Sequence, residues 1–111
     1  LKACEPLKQM LLSHAAAGGR IAAICAAPSV LGSIGLLRGK KAVCYPGFES
    51  QLEGAQCGTE PVVTDGLITT SRGMGTAVLL GLELVGLLVG KEVERELAAG
   101  IMLPEQNTVE K

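Results

Sequence analysis

The chain has 111 residues, of which 48% are hydrophobic and only 2% are aromatic, and its net charge is -1. This length fits one small domain, and the hydrophobic content argues against intrinsic disorder. Ten basic and eleven acidic residues without a long run of one sign lack the electrostatic footprint of a nucleic-acid-binding protein, so no nucleic acid partner is expected.

The N-terminal half of the chain carries two helix patterns around one strand pattern. Apolar residues at helical spacing predict a helix from Glu5 to a stop at Gly18-Gly19. A short apolar run over residues 21–24 predicts a strand buried on both faces. From Ala26 the period changes again, which predicts a second helix that ends at Gly35 or Gly39.

The middle of the chain reads as short strands and turns. Residues 41–44 form a strand pattern, residues 45–47 a turn, and residues 48–52 one helical turn. Residues 61–64 and 67–70 flank Asp65-Gly66, and this predicts a hairpin with a two-residue turn.

Two helix patterns close the chain, and the first is its most apolar stretch. Residues 76–89 predict a buried helix capped by Thr76, since a membrane span needs about 20 apolar residues. Residues 91–99 predict a charged surface helix, followed by a short strand or packing segment at residues 101–103. Together the elements predict an α/β sandwich with a partly parallel sheet.

The cellular setting follows from the termini and the cysteines. No signal-peptide pattern is present, so we expect a cytoplasmic protein without a membrane partner. Four cysteines without a small secreted scaffold pattern are expected to be reduced thiols. One histidine and no CxxC pair predict no metal site. Because the chain starts at Leu1 and enters a helix almost at once, we interpret it as part of a longer protein.

Chemistry concentrates where the predicted strand 21–24 ends, at Cys25. Ligands of α/β sheets bind at the carboxyl ends of strands, and the start of a helix favours a thiolate over a thiol. The amide of Ala26 lies where an oxyanion donor is needed, as in a nucleophile elbow. The competing interpretation is an inert buried cysteine, which is the structural reading we adopt for Cys4, Cys44 and Cys57.

Other polar residues could act with Cys25 only if they lie at the same edge of the sheet. His14 is expected about 15 Å from Cys25, because five strand residues rise roughly 3.3 Å each, and it reads as structural or solvated. Glu5 lies at the better edge but serves the helix terminus. Tyr45 follows the next strand and is a candidate pocket wall or hydrogen-bond donor. Gly73-Met74-Gly75 is too short a glycine pattern for a nucleotide site, and we expect it to form a tight turn that brings Arg72 to the pocket rim.

These motifs carry a resemblance to the ThiJ/PfpI family, in the branch of the Parkinson's-linked protein deglycase. The matching stretches are residues 22–28, residues 41–49, residues 65–76 and residues 90–92. Tyr45 stands where some members have a histidine, and Met74 replaces a common proline. The resemblance implies a flavodoxin-like (Rossmann-like) three-layer sandwich that is commonly homodimeric, with residues 1–111 as the C-terminal portion of a single domain.

The resemblance also implies what the whole protein does. Cys25 and Ala26 correspond to the family's catalytic elbow, and Tyr45, Arg72 and Gly73 to the substrate side. No cofactor is implied. The N-terminal half of the same protein would supply a glutamate, a Gly-Gly oxyanion loop and the first strands. The leading hypothesis is a glyoxalase-like enzyme or deglycase acting on carbonyl or glycated substrates. The alternatives are a redox sensor or stress-protective chaperone and, more weakly, an amidase, a peptidase or a thiamine-related role.

Overall fold

A computed structural model describes residues 4–103. The backbone divides into two compact units, one up to Leu80 and one from Gly81. The helices are α1 (Glu5–Ala16), α2 (Pro28–Ser33), α3 (Ala77–Leu88) and α4 (Lys91–Gly100), and the strands are β1 (Ile21–Ile24), β2 (Lys41–Ala42), β3 (Gln56–Cys57), β4 (Val62–Asp65) and β5 (Ile68–Ser71). Two 3-10 turns, Glu49–Gln51 and Met74–Thr76, complete the elements.

The main sheet has three strands in the order β1-β5-β4. The central strand β5 runs parallel to β1, with Ile24 opposite Ser71, and antiparallel to β4. All four residues of β5 are buried, because this strand has neighbours on both sides. The mixed α/β class and the partly parallel sheet are thus confirmed, and the carboxyl ends of β1 and β5 meet at one edge.

Strand β1 itself departs from the sequence prediction in its burial. The bounds are as predicted, but Ala22 is exposed while Ile21 and Ala23 are buried. The face of β1 that carries Ala22 therefore lacks cover among residues 4–103. The expectation of a strand buried on both faces was therefore wrong for this part of the chain.

The hairpin of β4 and β5 is confirmed, but its turn lies one residue later than predicted. Asp65 pairs with Ile68, so the connecting residues are Gly66 and Leu67. Gly66 has a φ of 65°, which suits the first central position of a type II′ turn. Asp65 remains in the strand, and its carboxylate accepts a hydrogen bond from the Lys41 amide at 2.8 Å.

Strand β2 is shorter than the predicted residues 41–44. It pairs with β3 in a separate two-stranded parallel sheet through Lys41 and Ala42 only. Beyond it, the Val43 amide donates to the side-chain oxygen of Thr70 at 2.9 Å. A side-chain acceptor on β5 thus bonds this amide on the side of the chain that faces away from β3.

Helix α2 packs closely on the Glu49–Gln51 turn, and a glycine makes this possible. A Cβ at Gly32 would lie 2.8 Å from the Cα of Leu52 and closer still to the Gln51 carbonyl oxygen. Real Cβ atoms do not tolerate such distances from backbone, so this position requires glycine. The core around it joins α2 to both sheets and contains Ile21, Ala23, Leu31, Leu37, Ala42, Cys44, Leu52 and Ile68.

Helix α3 forms as predicted, but the expectation that it is buried was wrong for the described residues. Leu82 is its only buried side chain, and Leu88 is 69% exposed. A helix apolar on nearly every face needs neighbours all round, and residues 4–103 do not provide them. Thr76 does not cap α3 with its hydroxyl, which instead bonds backward to Gly73 and Ser71.

Helix α4 confirms the charged helix after Gly90. Lys91 and Glu94 form an ion pair at 3.5 Å on its first turn. The strand or packing segment expected at residues 101–103 is wrong, because the chain turns there and Met102 is 85% exposed. Within residues 4–103, no helix combines the length and the apolar character that crossing a bilayer requires.

Candidate active site at the Cys25 elbow

Cys25 adopts a backbone conformation that is rare for a residue with a side chain. Its φ is 67°, in the left-handed region. A non-glycine residue there costs about 1–2 kcal/mol, because Cβ approaches the following carbonyl. Such outliers persist where the surroundings over-determine them, and they cluster at functional sites. The left-handed residue ends β1 abruptly and turns the chain toward α2, as an elbow requires.

Two backbone hydrogen bonds hold this elbow in place. The Cys25 amide donates to the Ser71 carbonyl at 3.0 Å, and the Cys25 carbonyl accepts from the Tyr45 amide at 2.8 Å. The elbow is therefore fixed to the end of β5 and to the chain that follows β2. Cys25 as a residue is partly exposed.

The turn after Cys25 differs from the predicted helix start at Ala26. The Ala27 amide donates to the Ile24 carbonyl at 3.1 Å, and α2 begins only at Pro28 and runs for six residues. A short helix that starts three residues away contributes less dipole at the sulfur than the sequence suggested. The Ala26 amide makes no hydrogen bond within residues 4–103, so it is free to act as an oxyanion donor.

Tyr45 lies beside the elbow and against the later glycine loop. Its side chain is 50% exposed and packs edge-on against Phe48, with ring centroids 6.4 Å apart. A Cβ placed on Gly73 would lie 3.6 Å from the tyrosine ring. The ring thus covers Gly73 while its own backbone bonds to Cys25.

Arg72 uses its guanidinium to join two chain segments. Nε donates to the Cys44 carbonyl and Nη1 to the Thr59 carbonyl, each at 3.3 Å. Arg72, Tyr45 and Gly73 line one open groove of about 440 Å³. The structure therefore brings together the three residues predicted for the substrate side, while Cys25 is not among the residues that line this groove.

The segment Gly73-Met74-Gly75 is a tight turn, as the weak glycine pattern indicated. Gly73 is extended, and residues 74–76 form a 3-10 turn. The hydroxyls of Ser71 and Thr76 share a hydrogen bond at 2.6 Å, and Ser71 also donates to the Pro61 carbonyl at 2.8 Å. Sequence reasoning missed Ser71 and Thr70, although buried hydroxyls inside a strand indicate side-chain hydrogen bonds.

The remaining cysteines lie in different environments. Cys44 is buried, and its pKa is raised from 9.0 by burial and then by the negative charge of Glu49. Cys57 is exposed as a residue, but the partial burial of its sulfur, 3.8 Å from the Glu49 carbonyl, raises its pKa too, with Glu49 adding to the effect. Both effects disfavour the thiolate at neutral pH.

The histidine and the first helix provide no partner for Cys25. His14 Nε2 lies 2.9 Å from the carbonyl oxygen of Arg20, immediately before β1 begins. It therefore stands at the opposite end of the strand from Cys25, as predicted. Glu5 is exposed and pairs with Lys8 at 3.7 Å. Across residues 4–103, no group of three or more His, Cys, Asp or Glu side chains is arranged to hold a metal ion.

Comparisons with known proteins match most of the chain to members of one family. The model of the DJ-1/PfpI family matches residues 1–87. Protein DJ-1 homolog B of Arabidopsis thaliana is 42% identical over 105 residues, and protein dj-1beta of Drosophila melanogaster is 42% identical over 96. The glutathione-independent glyoxalase DJR-1.2 of Caenorhabditis elegans is 31% identical over 104 residues.

The matches cover most of this chain but a much smaller share of each relative. The matches take in 93%, 85% and 93% of this chain but only 24%, 51% and 56% of the three relatives. Two solved structures are also similar, those of Drosophila melanogaster DJ-1beta and of oxidized Toxoplasma gondii DJ-1. Their TM-scores are 0.86 and 0.85, each at 38% identity, over 94% of this chain and 57% of theirs. The chain thus spans between 24% and 57% of the length of the proteins named here.

Proposed function

The chain belongs to the DJ-1/PfpI family, and from that premise we propose that it carries the nucleophile of a cysteine-dependent enzyme that acts on reactive carbonyls. The observation that carries the proposal is the partly exposed residue Cys25 on a left-handed turn between strand and helix. The proposed activity is glyoxalase-like conversion of small oxoaldehydes or removal of their adducts from proteins.

The first chemical step uses the elbow directly. The Cys25 thiolate adds to the aldehyde carbon, a C–S bond forms, and the carbonyl π electrons move to oxygen. The free Ala26 amide supports that oxygen until it takes a proton, which gives a thiohemiacetal. Tyr45 and Arg72 would bound the substrate on the groove side, with Gly73 beneath the tyrosine ring.

The proton transfers that follow need an acid-base group other than His14, which lies at the far end of β1. The family resemblance implies a glutamate with this role in the N-terminal half of the same protein. We therefore propose that the working enzyme contains that half, in a complete flavodoxin-like sandwich and a homodimer. The exposed Val78 and Leu88 of α3 support a missing neighbour, because a helix that is apolar on nearly every face needs neighbours all round.

The Caenorhabditis elegans relative supports this reaction class, because it is named a glutathione-independent glyoxalase. A protein thiol can hold the aldehyde by covalent addition where glutathione is not used. This chain offers such a thiol at the elbow.

The test is the formation of lactate from methylglyoxal by the full-length protein that contains this chain. We expect Cys25→Ala to lose more than about 100-fold in kcat/KM, because the covalent step disappears. Cys57→Ala is the matched control, since Cys57 is an exposed residue outside the site, and the variant should stay within about twofold of wild type. Unchanged activity in Cys25→Ala would eliminate the mechanism.

A redox sensor is the second candidate function, and the partial exposure of Cys25 also favours it. The Cys25 thiolate would attack a peroxide oxygen, which breaks the O–O bond and gives sulfenic acid and water. A second peroxide would then give sulfinic acid. Peptide mass spectrometry after mild peroxide treatment tests this function, and it fails if Cys25 does not oxidise ahead of the other three cysteines.

A further inference from the structure

We infer that Thr70, a buried residue of β5, is a positioning residue that holds Tyr45 against the Cys25 elbow. The inference rests on the proposed function in taking Tyr45 as a wall of the substrate site. It deepens that function by naming the group that keeps the wall in place. Thr70 itself is 1% exposed, and it acts only through the chain segment Val43–Tyr45.

The first link is the hydrogen bond between Thr70 and Val43. The Val43 amide donates to Thr70 Oγ1 at 2.9 Å, and both residues are buried. The Ala42 carbonyl faces β3, where it accepts from the Gly58 amide, so the next amide along the chain, that of Val43, points away from β3. A buried amide needs an acceptor, and the threonine hydroxyl is the one present.

The second link runs from Val43 to the elbow through two further contacts. Arg72 Nε donates to the Cys44 carbonyl at 3.3 Å, and the Tyr45 amide donates to the Cys25 carbonyl at 2.8 Å. Each of the three residues 43–45 therefore has one backbone group with a fixed partner. The first is bound to strand β5, the second to Arg72, which follows β5, and the third to the Cys25 elbow. Strand β5 also accepts the Cys25 amide through the Ser71 carbonyl, so one strand holds both sides of the strained turn.

Removal of the Thr70 hydroxyl disturbs this arrangement at its buried end. A Val43 amide without an acceptor would be stabilised by movement toward another partner or water. That movement would carry Tyr45 away and release the Cys25 carbonyl. A left-handed cysteine persists only while its surroundings fix it, so the sulfur would lose its defined position as well.

The neighbouring residue Thr69 provides a matched control. It lies in the same strand, is also 1% exposed, and has a hydroxyl that pairs with Thr64 Oγ1 at 2.9 Å inside the hairpin. Its hydrogen bond does not involve residues 43–45. Thr69→Val and Thr70→Val therefore remove the same group at the same burial, and only the second cuts the link to Tyr45.

The experiment measures three quantities in the full-length protein: exchange of the Val43 and Tyr45 amides, the rate at which iodoacetamide alkylates Cys25, and KM for methylglyoxal. Thr70→Val should speed exchange at both amides and slow alkylation of Cys25 by about fivefold or more, with a raised KM, because a buried amide has lost its acceptor. Thr70→Ser retains a hydroxyl and should restore all three to within about twofold, and Thr69→Val should match wild type.

Equal behaviour of Thr70→Val and Thr69→Val, or failure of Thr70→Ser to restore the alkylation rate, would overturn the inference. If Thr70→Val does not fold, exchange in the wild-type protein decides, because an unprotected Val43 amide would contradict the link. Exchange and alkylation do not depend on turnover of methylglyoxal. The inference and the proposed function can therefore fail separately.

Discussion

The two cysteines that follow β1 and β2 occupy corresponding places in the chain and very different environments. Cys25 comes directly after β1, is partly exposed, and has a φ of 67°. Cys44 follows β2 by one intervening residue, is buried, and has a pKa raised by that burial and by Glu49. The comparison teaches that position after a strand does not fix the environment of a thiol, because the backbone conformation and the solvent access differ between these two cysteines.

The two regions are also bound to each other. The Tyr45 amide, one residue after Cys44, bonds to the Cys25 carbonyl, and α2 packs on the turn that follows Tyr45 through Gly32. The buried region thus acts as the support for the strained one. Substitutions that affect either the buried region around Cys44 or the elbow at Cys25, but not both, test this arrangement most clearly.

The largest expected difference is in activity between Cys25→Ser and Cys44→Ser. A hydroxyl is a far weaker nucleophile than a thiol without an adjacent base, so Cys25→Ser should lose more than about 100-fold in kcat/KM with methylglyoxal. Cys44→Ser should retain activity within about threefold once the folded fraction is taken into account, because its sulfur is buried. An equal loss in both variants would remove the distinction between the two thiols.

The next largest effect is on stability, at the contact between α2 and the turn that follows Tyr45. Gly32→Ala places a Cβ against the Gln51 and Leu52 backbone, so the free energy of unfolding should fall by about 2–3 kcal/mol. Urea denaturation measures this change. Gly81→Ala is the control, since a Cβ there meets nothing within 4 Å, and a helix interior gains up to about 1 kcal/mol from the change. A neutral Gly32→Ala would show that α2 and the turn are not held in this close contact.

Relief of the backbone strain at the elbow should give a smaller, opposite effect. Glycine adopts a φ of 67° without a Cβ penalty, so Cys25→Gly should be about 1 kcal/mol more stable than Cys25→Ala. Both variants lack the sulfur, which isolates the backbone contribution. Thermal unfolding of the two proteins side by side measures it, and a less stable Cys25→Gly would show that the elbow carries no strain.

The smallest effect is on the pH dependence of stability. The folded pKa of Cys44 is raised above 9.0, so above pH 9 the unfolded state releases this proton while the folded state keeps it. Cys44 therefore contributes stability that is present below pH 9 and is lost as the pH rises through the folded value. The free energy of unfolding should fall less steeply above pH 9 in Cys44→Ser than in wild type. Identical slopes would contradict the raised pKa.

The sequence was sufficient where structure depends on neighbours along the chain. The bounds of β1, the start and end of α1, and the hairpin all follow from local spacing and turn residues. The hairpin turn was misplaced by one residue because Asp65 has a distant partner, the Lys41 amide, which no local pattern reveals. The exposure of α3 was also out of reach, since burial depends on what surrounds a helix.

The candidate site also contains features that local sequence predicts and features that depend on distant residues. Cys25 could be selected from an apolar run that ends in a cysteine before small residues, and the groove unites Tyr45 with Arg72 as predicted. Thr70 was read only as part of a hairpin strand, because its partner Val43 lies 27 residues earlier. The left-handed backbone of Cys25 could not be predicted either, since cysteine has no preference for that region.

The most direct test of the account is protection of Cys25 by a carbonyl substrate. The full-length protein is treated with limiting iodoacetamide at neutral pH, with and without methylglyoxal, and alkylation at each cysteine is followed by peptide mass spectrometry. The account predicts that methylglyoxal slows alkylation of Cys25 while leaving Cys57 unchanged, because only Cys25 binds the aldehyde carbon. Equal rates at Cys25 in the presence and absence of methylglyoxal would contradict the claim that this sulfur is the reacting atom.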